Sequence, residues 1–253
     1  MALRLAFDLD GVLADMESEL VHQARTLFGR SATRRVPGAA AGSSAPASET
    51  TQDAVVDLHL TIRQERRLWR HVAAIEDFWE SLPEIEEGAV ARIAGVASER
   101  RWEVIFLTTR PEGAGGTAQV QTQRWLEAKG FRRPSVFVVH GSRGRVAAAL
   151  GLDFVVDDRP ENCLDVVVDS HARAILMWRE GEHSVPVMVK RPGIGVANSV
   201  DDCLSTLSEA DSMSGRRPGL VERIVRRMRF KETTEAQRGP SSFKASSSTS
   251  SKS

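Results

Sequence analysis

Short apolar runs alternate with helical stretches along this chain, and that alternation constrains the fold more than any other feature. The apolar runs have the length of buried strands and lie at residues 3–7, 104–107, 136–139, 154–156 and 174–178. Helical patterns between the later runs cover residues 90–100, 119–129 and 145–150. Such an order is typical of a parallel sheet wrapped by helices on both faces. We therefore predict an α/β fold in which a Rossmann-like parallel sheet is the middle of three layers.

The first apolar run ends in two carboxylates, within the string FDLDGVLAD. Gly11 breaks the run, so Asp8 and Asp10 fall at the carboxyl end of the strand, where open α/β sheets bind their ligands. Two carboxylates this close repel each other unless a divalent cation such as Mg2+ neutralises them or one carries a proton. The pairing suits phosphoryl transfer, with Asp8 as nucleophile and Asp10 as the acid for the leaving alcohol and the base for the attacking water.

Two later runs also end in polar residues. VIFLTTRP places Thr108 and Thr109 at the end of the second run, and LDFVVDDRP places Asp157 and Asp158 at the end of the fourth. A threonine in such a position often only ends the strand or caps the next helix. An uncompensated acid pair at the end of a buried strand is costly, so a cation is its natural partner.

Taken in order, these three strings resemble the signatures of haloacid dehalogenase-like phosphohydrolases, and DLDGVLAD and DDRP resemble the 5'(3')-deoxyribonucleotidase branch in particular. The resemblance covers residues 3–15 and 78–178 and implies a fold of that type. It implies that Thr108 hydrogen-bonds the phosphate, with Thr109 as the second choice. It also implies a Mg2+ site whose ligands are Asp8, Asp158 and the backbone carbonyl of Asp10, with Asp157 in support.

A basic residue is expected ahead of the last acid pair, because in this family a Lys or Arg bridges the nucleophile and the phosphate. No Lys lies between Gly130 and Asp158. Arg143, at the start of the helical stretch that leads into the acidic strand, has the matching position, and Arg145 is the second choice. Arginine is a forked donor suited to phosphate, although its geometry differs from that of an ammonium group. A solvated basic turn is the alternative for both residues.

The segment between the first two apolar runs is longer than one crossover helix requires, which predicts a mainly helical cap inserted after the first strand. We expect a catalytic core of residues 1–15 and 89–212 and a cap of residues 16–88. Helical stretches at 16–28 and 53–73 flank residues 31–52, whose Ala, Ser, Pro and Gly content predicts a flexible loop. Phe78 and Trp79 either stack a nucleotide base over the site or pack the cap onto the core.

The C-terminal part of the chain carries weaker signals. Residues 184–210 predict a short strand, a loop and a helix that begins near Ser199. Residues 213–253 predict a basic helix followed by a disordered, Ser-rich tail. That helix would either contact a partner or an anionic surface, or dock on the domain through its apolar stripe.

Charge and cysteine content limit the classes of partner and the compartment. The chain has 34 Lys and Arg against 34 Asp and Glu, so there is no global electrostatic case for a nucleic acid polymer or a membrane. Its two cysteines lack metal-ligand spacing and no secretory leader is evident, which favours a reducing cytoplasm. No apolar run has the length of a transmembrane segment. A homodimer is compatible with these features.

The sequence therefore predicts a Mg2+-dependent phosphomonoesterase that acts on a small phosphomonoester, with a nucleotide as the substrate that the resemblance favours. One alternative keeps the mechanism and replaces the nucleotide by a sugar phosphate or another small phosphate ester. A second is a non-catalytic relative that binds a ligand or a partner. The joint presence of Asp8, Asp10, Thr108 and Asp158 argues against the second, because a protein without turnover has no chemical need for that set.

Overall fold

One parallel sheet organises the structure, a computed structural model that describes residues 2–29, 60–180 and 184–214. Its strands are β1 (Arg4–Asp8), β2 (Glu103–Thr108), β3 (Ser135–Val138), β4 (Phe154–Asp157), β5 (Arg173–Met177) and β6 (Ile194–Ala197). They pair in the order β3-β2-β1-β4-β5-β6, and every neighbouring pair is parallel. The first five strands match the five predicted runs to within one residue at each end, and the predicted α/β class is confirmed.

Helices cover both faces of this sheet. The helices of the described residues are α1 (Met16–Phe28), α2 (Ile62–Ala74), α3 (Ala89–Arg100), α4 (Ala118–Ala128), α5 (Arg143–Leu150), α6 (Pro160–Asp169) and α7 (Val200–Ser214). Side chains alternate along β1, because successive residues of a strand point to opposite faces. Leu5 and Phe7 join the apolar cluster that contains residues of α3, α4 and α7, while Ala6 joins the cluster of α5 and α6. The sheet is therefore the middle of three layers, as predicted.

The two helices that follow β1 pack against each other. Asp15 caps α1, its carboxylate accepting the N–H of Ser18 at 3.0 Å. Thr61 and Gln64 form a capping box that starts α2, a helix predicted to begin at residue 53. Residues 30–59, which include the predicted loop at 31–52, lie outside the described part of the chain. Ala24, Leu68 and Val72 are buried in the same apolar cluster as one face of the sheet.

Two features after β4 differ from the predictions. No helix was predicted between β4 and β5, where Pro160 begins α6 in the first-turn position that proline favours. After β5, the short strand comes later than expected: Val187–Val189 is a 3₁₀ turn, and β6 immediately precedes α7. The helix itself begins at Val200, one residue from the predicted start. The predicted basic helix and Ser-rich tail fall almost entirely on residues 215–253, which are outside the described residues.

Both cysteines, Cys163 and Cys203, are buried free thiols. Among the residues that the structure describes, no helix combines the length and the apolar character needed to cross a membrane. The compartment remains a prediction.

The strand order brings the polar strand ends together. The chain leaves β1 for β2 and β3 on one side and then crosses to β4 on the other, which makes the β1–β4 boundary a topological switch point. In the register of the sheet, Asp8 lies opposite Leu107 of β2, and Phe7 lies opposite Val156 of β4. The carboxyl ends of β1, β2 and β4 therefore share one edge of the sheet.

Candidate active site

The carboxylate of Asp8, at the end of β1, is held by the first residue of α5. Arg143 Nη2 donates to Asp8 Oδ1 at 2.5 Å, and Arg143 Nε lies 3.7 Å from Asp157 Oδ2 at the end of β4. The Arg143 side chain is only 4% exposed. Arg145 is exposed, and its backbone N–H caps onto Ser142 Oγ. Of the two arginines that the sequence left open, the structure brings Arg143 to the carboxylates.

Close packing between α5 and α6 fixes the position of Arg143. The Asp165 carboxylate on α6 accepts hydrogen bonds from Ser142 Oγ at 2.8 Å and from the Gly144 N–H at 2.9 Å. A Cβ at Gly144 would lie only 2.2 Å from the Asp165 carbonyl oxygen. Because only glycine allows this approach, the first turn of α5 rests directly on α6.

Asp10 forms an ion pair with a different buried arginine. Arg110 follows β2, and its Nη2 donates to Asp10 Oδ1 at 2.7 Å. Arg110 Nε donates to both carboxylate oxygens, at 3.1 and 3.0 Å. Thr108 Oγ1 lies 3.4 Å from Asp10 Oδ2 and accepts the Arg110 N–H at 3.1 Å. The two acids of the first motif therefore have separate basic partners.

The two threonines at the end of β2 differ sharply. Thr108 is completely buried beside Asp10 and Arg110, whereas Thr109 is exposed to solvent. Thr108 is therefore the one that the structure brings to the carboxylate cluster. Its role toward phosphate remains a prediction.

The two acids at the end of β4 have different surroundings. Asp157 is buried and accepts hydrogen bonds from the Arg159 N–H at 2.9 Å and from Asn162 Nδ2 at 3.0 Å. Asp158 packs against the loop after β1: a Cβ at Gly11 would lie 2.0 Å from Asp158 Oδ2. Gly11 also has a φ of +86°, which only glycine adopts readily. Gly11 thus lets the Asp158 carboxylate approach the loop that carries Asp10.

Burial raises the pKa values of three carboxyl groups at this edge. It raises the pKa of Asp8 well above its usual range, with the charge of Asp157 adding to the rise and Arg143 opposing it. Burial also raises the pKa of Asp157, against the N–H donors of Arg159 and Asn162. Burial and the charge of Asp157 raise the pKa of Asp158 to about 7. An ionised Asp8 therefore needs further positive charge nearby, because a cation favours the charged form of a carboxyl group.

Two buried atoms at this edge have no hydrogen-bond partner in the protein. One is Oδ1 of Asp158 and the other is Nη1 of Arg143. Buried polar atoms without a partner are rare and suggest that a ligand or ion completes them. A carboxylate oxygen is a donor that Mg2+ prefers, and a guanidinium N–H suits a phosphate oxygen.

The chemical types of the candidate ligands, carboxylate and carbonyl oxygens, fit the implied Mg2+ site. Across residues 2–29, 60–180 and 184–214, no three His, Cys, Asp or Glu side chains stand together in a metal-binding group. The implied site does not require one, since its protein ligands are two carboxylates, Asp8 and Asp158, and one backbone carbonyl. Arg143, Arg110 and Arg159 supply three positive charges to the four carboxylates at this edge, so one negative charge remains for a cation to offset.

Phe78 and Trp79 are packed inside the protein. Phe78 is 3% exposed and Trp79 is 2% exposed, and their rings meet edge to face with centroids 5.0 Å apart. Trp79 Nε1 donates to the Pro111 carbonyl at 3.1 Å. This burial favours the packing role over base stacking, which needs an open aromatic face.

Sequence reasoning assigned no role to Arg110 or to Asn162. Arg110 was visible only as the residue that follows two threonines, and Asn162 as part of an apparent turn after DDRP. Arg110 and Asp10 are separated by 100 positions, so no local period links them. The one available signal was that a basic residue follows directly on a polar strand end.

Comparison with known proteins bears on the fold. No protein-family model matches the chain, and no curated protein matches it. A haloacid dehalogenase family hydrolase from Deinococcus radiodurans R1, solved with bound phosphate and sodium, is 13% identical with a TM-score of 0.53, over 83% of this chain and 96% of that one. A candidate beta-phosphoglucomutase from Thermotoga maritima is 14% identical with a TM-score of 0.50, over 82% and 99%. The chain thus has the fold of haloacid dehalogenase-like hydrolases.

Proposed function

We propose that this protein is a Mg2+-dependent phosphomonoesterase that forms an aspartyl-phosphate on Asp8. The observation that carries the proposal is a pair of unpartnered buried atoms at this strand edge. Arg143 Nη1 belongs to the guanidinium group that binds Asp8, and Asp158 Oδ1 belongs to the carboxylate that packs against Gly11. The unpartnered carboxylate oxygen of Asp158 suits a cation, and the unpartnered guanidinium nitrogen of Arg143 suits an anion. A divalent metal and a phosphate group supply both charges at one strand edge.

The reaction takes two steps at this edge. In the first, an Asp8 oxygen attacks phosphorus and the bond from phosphorus to the leaving alcohol breaks, while Asp10 gives its proton to the alcohol oxygen. In the second, a water molecule attacks phosphorus and loses a proton to Asp10. The bond between phosphorus and Asp8 breaks, phosphate leaves, and both carboxyl groups return to their starting state.

Other residues bind and orient the phosphate. Arg143 holds Asp8 through Nη2 and offers Nη1 to a phosphate oxygen. The hydroxyl of Thr108, at the same strand edge, is the second phosphate donor. Asp158, Asp8 and the Asp10 carbonyl would hold Mg2+, which would offset the negative charge of the phosphate and the carboxylates.

The choice of phosphomonoester hydrolysis over other displacement reactions rests on Asp10. An alcohol is a poor leaving group and benefits from a proton donor, whereas a halide leaves without one. A partly buried carboxyl group fixed two residues from the nucleophile serves the first reaction and is superfluous in the second.

For the substrate we propose a (deoxy)ribonucleoside monophosphate, on the resemblance of DLDGVLAD and DDRP to deoxyribonucleotidase motifs. A sugar phosphate or another small phosphate ester is the second candidate. The burial of Phe78 and Trp79 favours it, because neither ring offers a face to a base.

The test is phosphate release from a panel of mononucleotides and sugar phosphates, with Mg2+ and with a chelator. We expect release only with Mg2+, and most rapidly from a nucleoside monophosphate. A faster reaction with a sugar phosphate would move the substrate to the second candidate. Absence of release from every ester by the folded, Mg2+-supplied protein would contradict the proposed function.

Replacing the two acids after β4 tests the metal assignment. We expect Asp158→Ala to raise the Mg2+ concentration for half-maximal activity more than Asp157→Ala does. Asp158 has an unpartnered oxygen for the metal, while both Asp157 oxygens already accept N–H groups from Asn162. The opposite ranking in Mg2+ titrations of the two variants would make Asp157 the direct ligand.

A further inference from the structure

The side chain of Arg110 is fully buried, and all three of its guanidinium nitrogens are used within the protein. Nε and Nη2 both contact the carboxylate of Asp10. Nη1 donates to Thr122 Oγ1 on α4 at 3.0 Å. Each Arg110 nitrogen therefore has a partner within the protein, and the fork formed by Nε and Nη2 is directed at Asp10.

Two indole rings hold the guanidinium group in place. Its central carbon lies 5.2 Å from the ring centroid of Trp79 and 6.0 Å from that of Trp125. Each indole is fixed in turn, Trp79 Nε1 by the Pro111 carbonyl and Trp125 Nε1 by the Leu82 carbonyl at 2.7 Å. A cation over aromatic rings gains electrostatic energy in a dry site, so this packing stabilises one orientation of the fork.

We propose that Arg110 is the positioning residue for the acid–base carboxylate Asp10, an inference that rests on the proposed function. A proton passes efficiently only when its donor and acceptor atoms come within about 2.6–3.2 Å. A carboxylate held at both oxygens by one fork cannot rotate freely, so its unshared lone pairs keep one direction. Lysine at this position would supply the charge without the fork.

The proposal predicts that loss of the fork matters most where the leaving group most needs a proton. The substrates are ethyl phosphate, phenyl phosphate and 4-nitrophenyl phosphate, whose leaving alcohols become steadily more acidic. kcat/KM covers the steps up to formation of the aspartyl-phosphate. We expect Arg110→Lys to lower kcat/KM about 100-fold for ethyl phosphate and less than about fivefold for 4-nitrophenyl phosphate, with phenyl phosphate between them.

Arg143→Lys is the matched control. Arg143 contacts Asp8 and is placed on the phosphate, which is common to all three substrates, so this variant should lower their kcat/KM values by one common factor. A fraction of misfolded enzyme would also lower all three values equally. The ratio between ethyl and 4-nitrophenyl phosphate therefore separates positioning of Asp10 from a structural role.

Thr122→Val provides a milder second variant. It removes only the partner of Nη1 and leaves the ion pair with Asp10 in place. We expect the same preference for acidic leaving groups to emerge, with a loss of about 10-fold on ethyl phosphate and about twofold on 4-nitrophenyl phosphate. If Arg110→Lys does not fold, the kinetics of Thr122→Val alone test the positioning role.

Each outcome has one meaning. A wild type that releases no phosphate from any of the three esters, or from the mononucleotides, contradicts the proposed function. An active wild type whose Arg110→Lys and Thr122→Val variants lose the same factor on every ester contradicts the positioning role alone. A loss that grows as the leaving alcohol becomes less acidic supports it.

Discussion

Arg143 and Arg110 each bury a guanidinium group beside a carboxylate of the same strand edge, yet they use their nitrogens differently. Arg143 binds Asp8 through Nη2 and leaves Nη1 buried without a partner. Arg110 gives every nitrogen to the protein, two to Asp10 and one to Thr122. A buried donor without a partner is costly, so it indicates a place for a ligand, while a fully satisfied one indicates support.

The two arginines also reach the edge from different elements. Arg143 begins α5, which α6 holds through the Asp165 carboxylate. Arg110 follows β2 and is enclosed by indole rings and by α4. The site thus consists of two half-sites. The Asp8 half-site contains a guanidinium nitrogen of Arg143 without a hydrogen-bond partner, and in the Asp10 half-site every guanidinium nitrogen of Arg110 has one.

The largest effect should come from the acids themselves. Asp8→Asn should abolish phosphate release, because an amide is a poor nucleophile and a weaker metal ligand. Asp10→Asn should lower kcat on the order of 100-fold, as expected for a lost general acid. Phosphate release and circular dichroism of both variants provide the measurements. Near-normal turnover of folded Asp8→Asn would rule out the aspartyl-phosphate mechanism.

The proposed role of Arg143 in phosphate binding can be tested by comparing its alanine variant with that of Arg145, a solvent-exposed residue on the same helix. Arg143→Ala should lower kcat/KM on the order of 100-fold, the usual cost of losing a donor to the reacting group. Arg145→Ala should stay within about twofold, because surface substitutions rarely cost more. Steady-state kinetics of the two variants make the comparison. A larger loss for Arg145→Ala would transfer the phosphate-binding role to that residue.

The position of Arg143 beside Asp8 depends on Gly144, where the packing of α5 on α6 leaves no room for a side chain. Gly144→Ala would force a Cβ within 2.2 Å of the Asp165 carbonyl, and should cost about 1–3 kcal/mol of unfolding free energy together with activity. Gly95→Ala on α3 is the matched control, since nothing lies within 4 Å of its Cβ. That variant should gain about 0.5–1 kcal/mol. Urea unfolding of both proteins checks the pair, and equal stabilities would show that α5 can move off α6.

The smallest effect concerns the pH dependence of stability. A folded-state pKa of about 7 for Asp158, above the unfolded value near 3.8, means that the folded protein binds the proton more tightly. The contribution of Asp158 to the stability of the metal-free protein should therefore fall as pH rises from about 4 to about 7 and level off above it. Asp158→Asn should make this fall shallower, on the order of 1–2 kcal/mol between pH 5 and pH 7. Unfolding measurements at several pH values with chelator present test it, and an unchanged slope would contradict the assignment.

Local pattern was sufficient for most of the fold. Apolar runs bounded by polar residues place five strands to within one residue, because burial on both faces of a parallel sheet demands continuous apolar segments. The helix that begins at Pro160 could not be predicted from the sequence pattern, because ten residues are too few to establish a helical periodicity. The last strand, Ile194–Ala197, is a short edge strand with two residues only half-buried, so its pattern is weak.

The set of acids at the strand ends and their order could be predicted from the amino-acid sequence, since both depend on where apolar runs stop. The pairing of each acid with its arginine could not, because it depends on how distant segments pack. Arg143 and Arg145 lie about 200° apart around a helix of 3.6 residues per turn, so packing on α6 buries one and exposes the other. Arg110 and Asp10 meet across 100 positions of sequence because two neighbouring strands end side by side, a contact that no local period encodes.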